Sequence, residues 1–391
     1  MPSNQHTTAF LEVGFRPFFL GAGFFAMLTM ALWAAIYIFQ INFDLKNISQ
    51  FEWHAHEMIF GYAMAVIAGF LLTSVRTWTR STTLEGPPLL LLFLLWAAAR
   101  ICFLFGTAWI LLAAIADILF SLWLAYILFH RIFAAKQWHQ MSIIGKVILI
   151  ALCNILFYTG AMGYMEQGIT LGIFAAMYII LALIFTMGRR VIPFFIERAT
   201  GDSVKLFNTK WVDIPNIILF LIFSINEVFI QHTLTSGYLA AALCLLNAYR
   251  LIRWHHPVIW RQGLLWSIYL SFWMMTLGFA LFALMYIGHV DIPKLLALHA
   301  FTVGGIGMIT IGMMSRVALG HTGRNVYAPP RSLIYAFIAM LLGVIARVIL
   351  PLPDIWPYDV LIGISQILWV IAFAIFTIIY IPILGQPRQG L

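Results

Sequence analysis

Long apolar runs, separated by short polar segments, repeat along the whole chain. Twelve of them approach the roughly 20 residues that a helix needs to cross a bilayer, and they lie at 18–40, 54–75, 88–106, 108–129, 142–163, 168–187, 213–231, 236–252, 265–288, 294–315, 332–350 and 358–382. Each run is apolar at consecutive positions instead of every second one, which favours helices over barrel strands. The pattern predicts an all-α fold, a polytopic membrane protein with twelve transmembrane helices in a single membrane domain.

The composition supports this interpretation. Hydrophobic residues make up 63% of the chain and charged residues only 9%, whereas a soluble domain carries about a quarter charged residues. A water-soluble globule is therefore excluded. The most polar stretch, 188–212, is too short for a domain and is predicted to be a loop. Glu12 and Arg16 interrupt the amino-terminal segment, so no cleavable signal sequence is expected there.

The few basic residues fix the predicted orientation. With twelve crossings, eighteen of the 22 lysines and arginines fall on the side that carries both termini, and two, Lys46 and Lys294, fall on the other. Because cytoplasmic loops are enriched in lysine and arginine, both termini are predicted to be cytoplasmic. A basic surface facing anionic lipid headgroups then explains the net charge of +8, and no nucleic-acid partner is expected.

Ionisable groups inside spans are costly, and they usually face an internal site. Five such groups are predicted near the outer ends of four spans: His54, His56, Arg100, His299 and Arg347. Because they share one level of the membrane, we expect a single site in the outer leaflet. Asp117 in the fourth span and Glu227 in the seventh are candidates either for a proton route or for hydrogen bonds between helices.

This set of side chains is typical of a metal or haem site. Neutral imidazole ligates haem iron and copper, and arginine pairs with carboxylates such as haem propionates. Positions two apart on a helix point about 200° apart, so His54 and His56 are not expected to hold the same ion, whereas His54 and Glu57 share a face. One histidine is expected to face a haem, and the other, with Glu57, a second metal or a water path. The alternative is ordinary hydrogen-bonding histidines, snorkelling arginines and a glycine stretch, Gly304–Gly307, that packs helices tightly instead of admitting a macrocycle.

Four motifs carry a resemblance to a known family. They are GFRPFF at 14–19, WHAHEM at 53–58, HAFTVG at 299–304 and RVALGHTGR at 316–324. In these runs the chain resembles the NnrS family over nearly its whole length. The resemblance implies a twelve-span bacterial inner-membrane protein that contains haem b, with copper as a further candidate cofactor, and a role in nitric oxide metabolism or nitrosative-stress resistance.

The chain is also loosely similar to the catalytic subunit of haem-copper oxidases and nitric oxide reductases. That similarity implies a pseudo-threefold bundle with a low-spin haem between histidines of helices 2 and 10. However, the sixth predicted span has no histidine and the seventh has no His-His pair, so a haem site is better supported than a binuclear centre. His321, predicted on the inner side, is a reserve ligand that is too far away to join the outer cluster.

We therefore hypothesise a haem-binding membrane protein with His299 and either His56 or His54 as axial ligands, and with Arg100 and Arg347 near the propionates. The expected partners are membrane lipid, nitric oxide or another small diatomic, and, for a redox activity, quinol or a periplasmic electron donor. The sequence does not decide whether a substrate is turned over. A secondary transporter and a non-catalytic nitric oxide sensor or metal-delivery protein are the alternatives.

Overall fold

The computed structural model describes residues 9–41, 45, 47–206 and 208–390, apart from the side chain of Thr107. Lys46, predicted in an outer loop, lies outside the described residues. Helices that coincide with the twelve predicted segments are α1 (Phe15–Phe39), α2 (Gln50–Thr79), α3 (Pro87–Leu104), α4 (Ile110–Ala134), α5 (Trp138–Ala161), α6 (Gly168–Ala199), α7 (Lys210–Ile230), α8 (Thr233–Trp254), α9 (Gly263–Tyr286), α10 (Lys294–His321), α11 (Leu333–Ile349) and α12 (Tyr358–Gly385). The described residues contain no strand, which confirms the all-α class.

Ten of these helices are long and apolar enough to cross a membrane, counted over the described residues. The chain is therefore a multi-pass membrane protein. The other two are α8, which is less apolar, and α11, an apolar helix of 10–17 residues where a straight span needs about 20. The count of twelve spans and the oxidase-like bundle stay predictions.

Helix α6 corrects one sequence-based expectation. The loop predicted for 188–212 is wrong in its first half, because α6 continues through Pro193 to Ala199. Loss of hydropathy marks where a helix leaves the apolar layer, but it does not end the helix. Arg198 and Asp202 then form an i,i+4 ion pair with a separation of 2.8 Å just beyond the helix end.

The described chain packs as two compact units. Unit 1 contains the described residues up to Ile179, together with Met314–Asn325 and those from Phe373 onward. Unit 2 contains the described residues of Ile180–Met313 and Val326–Ala372. No result here tests the prediction of a single membrane domain.

In unit 1, α5 and α6 approach each other backbone to backbone. A Cβ at Gly160 would lie 2.5 Å from the Ile169 nitrogen, and a Cβ at Gly172 would lie 2.6 Å from the Cys153 carbonyl oxygen. Only glycine permits such contacts. This use of small residues to bring helices together is typical of packing in lipid, where apolar burial alone does not favour association.

The first and last helices of unit 1 meet at one end. The Nη1 of Arg16, at the start of α1, donates hydrogen bonds of 2.8 Å and 2.5 Å to the carbonyl oxygens of Leu384 and Gln386, at the end of α12. The beginning of the first span and the end of the last therefore lie on the same side of the membrane. The positive-inside argument likewise assumes an even number of crossings, which stays a prediction.

Four helices contain π-helical segments, in which each backbone hydrogen bond spans one residue more than in an α-helix. The segments are Glu57–Ala63, Asn226–Ile230, Ala300–Gly307 and Ile345–Ile349. Two of them begin at the residue after His56 and the residue after His299. A third contains Arg347. Such segments are frequent at functional sites.

Candidate functional site

A capping box fixes the start of α2 and with it the first candidate residues. The hydroxyl of Ser49 accepts a hydrogen bond from the Glu52 backbone at 3.2 Å, and the Glu52 carboxylate accepts one from the Ser49 backbone at 2.7 Å. This reciprocal pair satisfies two of the unpaired backbone donors of the first turn. It places His54 and His56 in the first two turns of the helix.

His54 lies half-buried against an aromatic wall. Its ring stacks on Trp33 of α1, with a centroid separation of 4.8 Å and an interplanar angle of 11°. Trp33 in turn contacts Tyr37 and Phe51. The indole covers one face of the imidazole and fixes the plane of the ring, so the ring edge, which carries the nitrogens, keeps a defined direction.

His56 is fully enclosed. Its Nδ1 lies 2.9 Å from Glu57 Oε1, and its Nε2 lies 3.1 Å from Asn154 Oδ1 of α5. The rings of Phe103 and Phe157 pack on it at centroid distances of 4.7 Å and 4.2 Å. Glu57, at the start of the π-helical segment, thus contacts its neighbour His56, and the expectation that it shares a face with His54 stays a prediction.

Arg100 lies in the same buried cluster. Its Nη1 donates to Glu57 Oε1 at 2.6 Å, and its Nη2 donates to Asp117 Oδ2 of α4. The Tyr158 hydroxyl also donates to Asp117 Oδ2, at 3.0 Å. We call these six side chains the buried cluster of unit 1: His56, Glu57, Arg100, Asp117, Asn154 and Tyr158. The guanidinium supplies the counter-charge that two carboxylates need away from water.

His299, in unit 2, has a different environment. Its Nδ1 lies 2.7 Å from the backbone carbonyl oxygen of Leu295. Because a carbonyl oxygen can only accept, Nδ1 carries the proton and the lone pair of the neutral ring lies on Nε2. A hydrogen bond of this kind sets the tautomer and orientation of metal-ligating histidines.

The glycines after His299 pack helices together. A Cβ at Gly304 would lie 2.6 Å from Met274 Cβ, and one at Gly305 would lie 2.5 Å from Met275 Cγ, both on α9. Among the readings of this stretch, the contacts favour tight packing of α10 on α9 over clearance for a macrocycle.

Arg347 lies buried in the π-helical segment of α11. Its Nη1 donates to the Tyr358 hydroxyl at 2.8 Å, and its guanidinium carbon lies 5.4 Å from the centre of the same ring. Arg347 therefore reaches the beginning of α12 within unit 2. Among the described residues, Arg347 forms no ion pair with a carboxylate, whereas Arg100 forms two.

The predicted site residues are thus divided between the two units. Unit 1 holds His54, His56 and Arg100, and unit 2 holds His299 and Arg347. Their convergence on one site stays a prediction. The reserve ligand lies in unit 1 at the end of α10, where the His321 ring is 5.8 Å from the Phe15 ring.

A comparison with protein families decides the affiliation of the chain. The family model described as NnrS protein matches residues 9–388, nearly the whole chain. The chain belongs to the NnrS family. No curated protein matches it.

The side chains present in this NnrS protein can be compared with the cofactors that the resemblance implies. Among the described residues, no three His, Cys, Asp or Glu side chains are grouped to hold a metal ion. A copper centre with three protein ligands of these types therefore has no support in the described part of the chain. Haem needs only one or two histidines, and the donor chemistry of His299 and the oriented ring of His54 fit that need. His56 fits poorly, since both of its ring nitrogens lie against protein oxygens.

Two members of the buried cluster of this NnrS protein were not singled out from the sequence. Asn154 and Tyr158 lie four residues apart on α5, so they share one helix face. The available signal was their polarity within an apolar run. It is weak, because a lone asparagine or tyrosine in a span also occurs as a simple helix-pairing group.

Unit 2 of the NnrS protein has a second set of paired polar groups. Lys294 Nζ lies 2.7 Å from Glu227 Oε2, and the Ser236 hydroxyl donates to Glu227 Oε1 at 2.5 Å. Asn226 Nδ2 donates to Ser236 Oγ at 2.6 Å. These contacts join α7, α8 and α10. They agree with the alternative in which Glu227 forms hydrogen bonds between helices.

Proposed function

We propose that this NnrS-family protein is a haem-binding membrane protein of the nitric oxide response. The observation that carries the proposal is the environment of His299 in a chain that matches the family along its length. The half-buried imidazole donates its Nδ1 proton to the Leu295 carbonyl oxygen, so the lone pair of the neutral ring lies on Nε2. His299 comes immediately before a π-helical segment. Membership of the family supports the involvement of nitric oxide.

We assign the remaining candidates by their contacts. His54 is the second candidate axial ligand, because stacking on Trp33 orients its ring. Arg347 is the candidate partner of a propionate, since no carboxylate among the described residues forms an ion pair with it. His56 and Arg100 belong to the structural support of α2, because their polar atoms are engaged by Glu57, Asp117 and Asn154.

Haem b supplies an iron atom that takes axial ligands and, where one axial position is open, binds a small diatomic such as nitric oxide. The residues of this chain determine which case holds. If His299 alone ligates, an axial position is open for the diatomic. If a second histidine were to ligate the iron, both positions would be filled, which would favour electron transfer with quinol or a periplasmic donor. We place the protein in the bacterial inner membrane with both termini cytoplasmic, and copper remains a further candidate cofactor.

The test is the visible spectrum of the purified full-length protein, air-oxidised and dithionite-reduced, after expression with ample haem. We expect a Soret band that is lost in His299→Ala. The control is His289→Asn, because His289 is an exposed histidine in the segment before α10 and asparagine tolerates its backbone φ of 50°. A folded but colourless wild-type protein would overturn the proposal. A Soret band that persists in His299→Ala would overturn the assignment of His299.

A second measurement separates the two ligation states. Nitric oxide added to the reduced wild-type protein shifts the spectrum at once if an axial position is open. If a second ligand fills that position, the shift is slow or absent. Elemental analysis of the same preparations determines whether copper is bound.

A further inference from the structure

Two of the sequence motifs meet at one end of unit 1, away from the histidines assigned above. The GFRPFF run supplies Arg16, and the RVALGHTGR run supplies Arg324. Arg16 bonds to the carbonyl oxygens at the end of α12, and Arg324 Nη2 donates to Gln386 Oε1 at 3.0 Å. The Gln389 backbone nitrogen donates to the Thr322 carbonyl at 2.9 Å, which holds the carboxy-terminal segment against the second motif.

Positive charge accumulates at this junction. We call the following groups the arginine cluster: Arg16, Arg76, His321, Arg324 and Arg388. Arg16 and Arg324 both donate to Gln386, Arg76 Nη1 donates to the Glu12 carbonyl oxygen at 3.2 Å, and Arg388 lies two residues beyond Gln386. The ion pairs of the described residues give this cluster one carboxylate, Glu12 Oε2, at 3.4 Å from Arg16 Nη2. Among the described residues, four guanidinium groups therefore have one carboxylate paired with them.

Two donors of the cluster have no acceptor in the part of the chain that the structure describes. Among the described residues, nothing accepts a hydrogen bond from Arg16 Nε, although Arg16 is only 1% exposed. The buried Arg324 Nη1 is likewise without an acceptor in the described part of the chain. A buried donor that is left unsatisfied destabilises the folded protein, and more so when it is charged. An anion bound at this place would accept hydrogen bonds from the unsatisfied donors and reduce the repulsion between the arginines.

Capping of α12 by Arg16 does not account for the cluster. The cap uses Nη1 of Arg16, and Glu12 takes Nη2, which leaves Nε. The cap itself involves only Arg16, whereas Arg76 and Arg324 reach the same end of unit 1 through single bonds to Glu12 and Gln386. Guanidinium forks match the paired oxygens of phosphate and similar groups.

We propose that the arginine cluster binds an oxyanion group at the inner side of unit 1. The ends of α2, α10 and α12 and the start of α1 all fall on the side that the lysine and arginine count predicts to be cytoplasmic. Basic sites between helices on that side bind anionic lipid headgroups. The same chemistry recognises a free oxyanion from the cytoplasm. The proposal does not depend on haem.

The first experiment uses the full-length wild-type protein, delipidated in a non-ionic detergent. Inorganic phosphate is the probe for the free source, and phosphatidylglycerol in phosphatidylcholine nanodiscs is the probe for the lipid source. We expect a saturable rise in the midpoint of thermal unfolding with one of them, and native mass spectrometry should show one retained phospholipid if the source is lipid. If neither probe gives a saturable response, the proposal is wrong.

The second experiment tests the residues. Arg324→Gln and Arg388→Gln should each weaken the apparent affinity for the effective probe about ten-fold or more, the loss expected for one charge-assisted bond. Arg324→Lys should be intermediate, because it keeps the charge without the fork. Arg131→Gln is the matched control, since Arg131 lies in the last turn of α4, which contributes no residue to the cluster. An equal loss in the control would indicate a general charge effect and overturn the assignment.

Discussion

Arg100 and Glu57 form a buried ion pair, with 2.6 Å between Nη1 and Oε1, although they come from α3 and α2. Arg100 also contacts Asp117 of α4. One guanidinium therefore holds three consecutive helices of unit 1 together. Its role follows from the membrane environment, in which neither carboxylate has water as an alternative partner.

Replacing Arg100 should destabilise the protein strongly. Arg100→Met leaves Glu57 and Asp117 buried without a counter-charge, and breaking a buried pair in this way costs about 3–5 kcal/mol. The measurement is SDS-induced unfolding in mixed micelles. Arg131→Gln, which also removes one positive charge from unit 1, should change the unfolding free energy by less than about 1 kcal/mol. Equal stability of Arg100→Met and wild type would show that the cluster is not a structural support.

His56 and His299 should respond differently to the same substitution. His56→Ala removes a fully buried ring that Phe103 and Phe157 enclose, so we expect a lower unfolding midpoint with a haem content per folded protein close to wild type. His299→Ala should remove the haem absorption with a smaller effect on the midpoint. Both quantities can be measured on one preparation by absorbance and thermal unfolding. The reverse pattern would make His56 the ligand.

Glycine contacts between α5 and α6 provide a test of packing. In Gly172→Ala the added methyl group would lie 2.6 Å from the Cys153 carbonyl oxygen, and the resulting overpacking should cost about 1–3 kcal/mol. Gly145→Ala, also on α5, is the control because no atom lies within 4 Å of its added Cβ. There we expect no loss, or a gain of up to about 1 kcal/mol from higher helix propensity. Mixed-micelle unfolding distinguishes the two, and similar values for both variants would contradict the close approach of these helices.

The ion pair of Lys294 with Glu227 should contribute to the stability of unit 2. The Glu227 side chain is 3% exposed and the Lys294 side chain 44%, so the pair is partly screened by solvent. We expect Lys294→Met to cost roughly 1–2 kcal/mol, less than a fully buried pair. Lys205→Met removes a lysine that is 76% exposed and 3.2 Å from Glu197, and it should be close to neutral. A neutral Lys294→Met would indicate that Ser236 alone satisfies Glu227.

The sequence predicts the helices well because apolar runs of spanning length leave the backbone no alternative in lipid. The prediction fails where an apolar run and the helix that contains it differ in length. The arginine-bearing end of α6 stays helical after the apolar run ends, so a hydropathy boundary at 187 misplaces the end of the helix. In the opposite direction, α11 is helical throughout its predicted run but is short for a span.

The candidate site is predictable by residue type but not by pairing. The sequence identifies His56, Glu57 and Arg100 as costly groups within spans. It does not show that Asn154 and Tyr158 of a different helix complete their environment, because such contacts depend on the rotation of α5 about its axis. Nor does a regular helical wheel anticipate the His56–Glu57 contact, since the wheel assumes α-helical spacing where α2 becomes π-helical.

The π-helical segment of α10 has a consequence for how that helix tolerates changes in length. Ala300–Gly307 separates His299 from Met308–His321, and the wide turn accommodates one residue beyond an α-helical repeat. Deleting one residue there would restore a regular helix and leave His299 and the inner half of α10 in nearly the same rotational register. The same deletion in an α-helical part of α10 would rotate one side by about 100°. Ala300–Gly307 is therefore the part of α10 in which a change of one residue in length disturbs the two ends of the helix least.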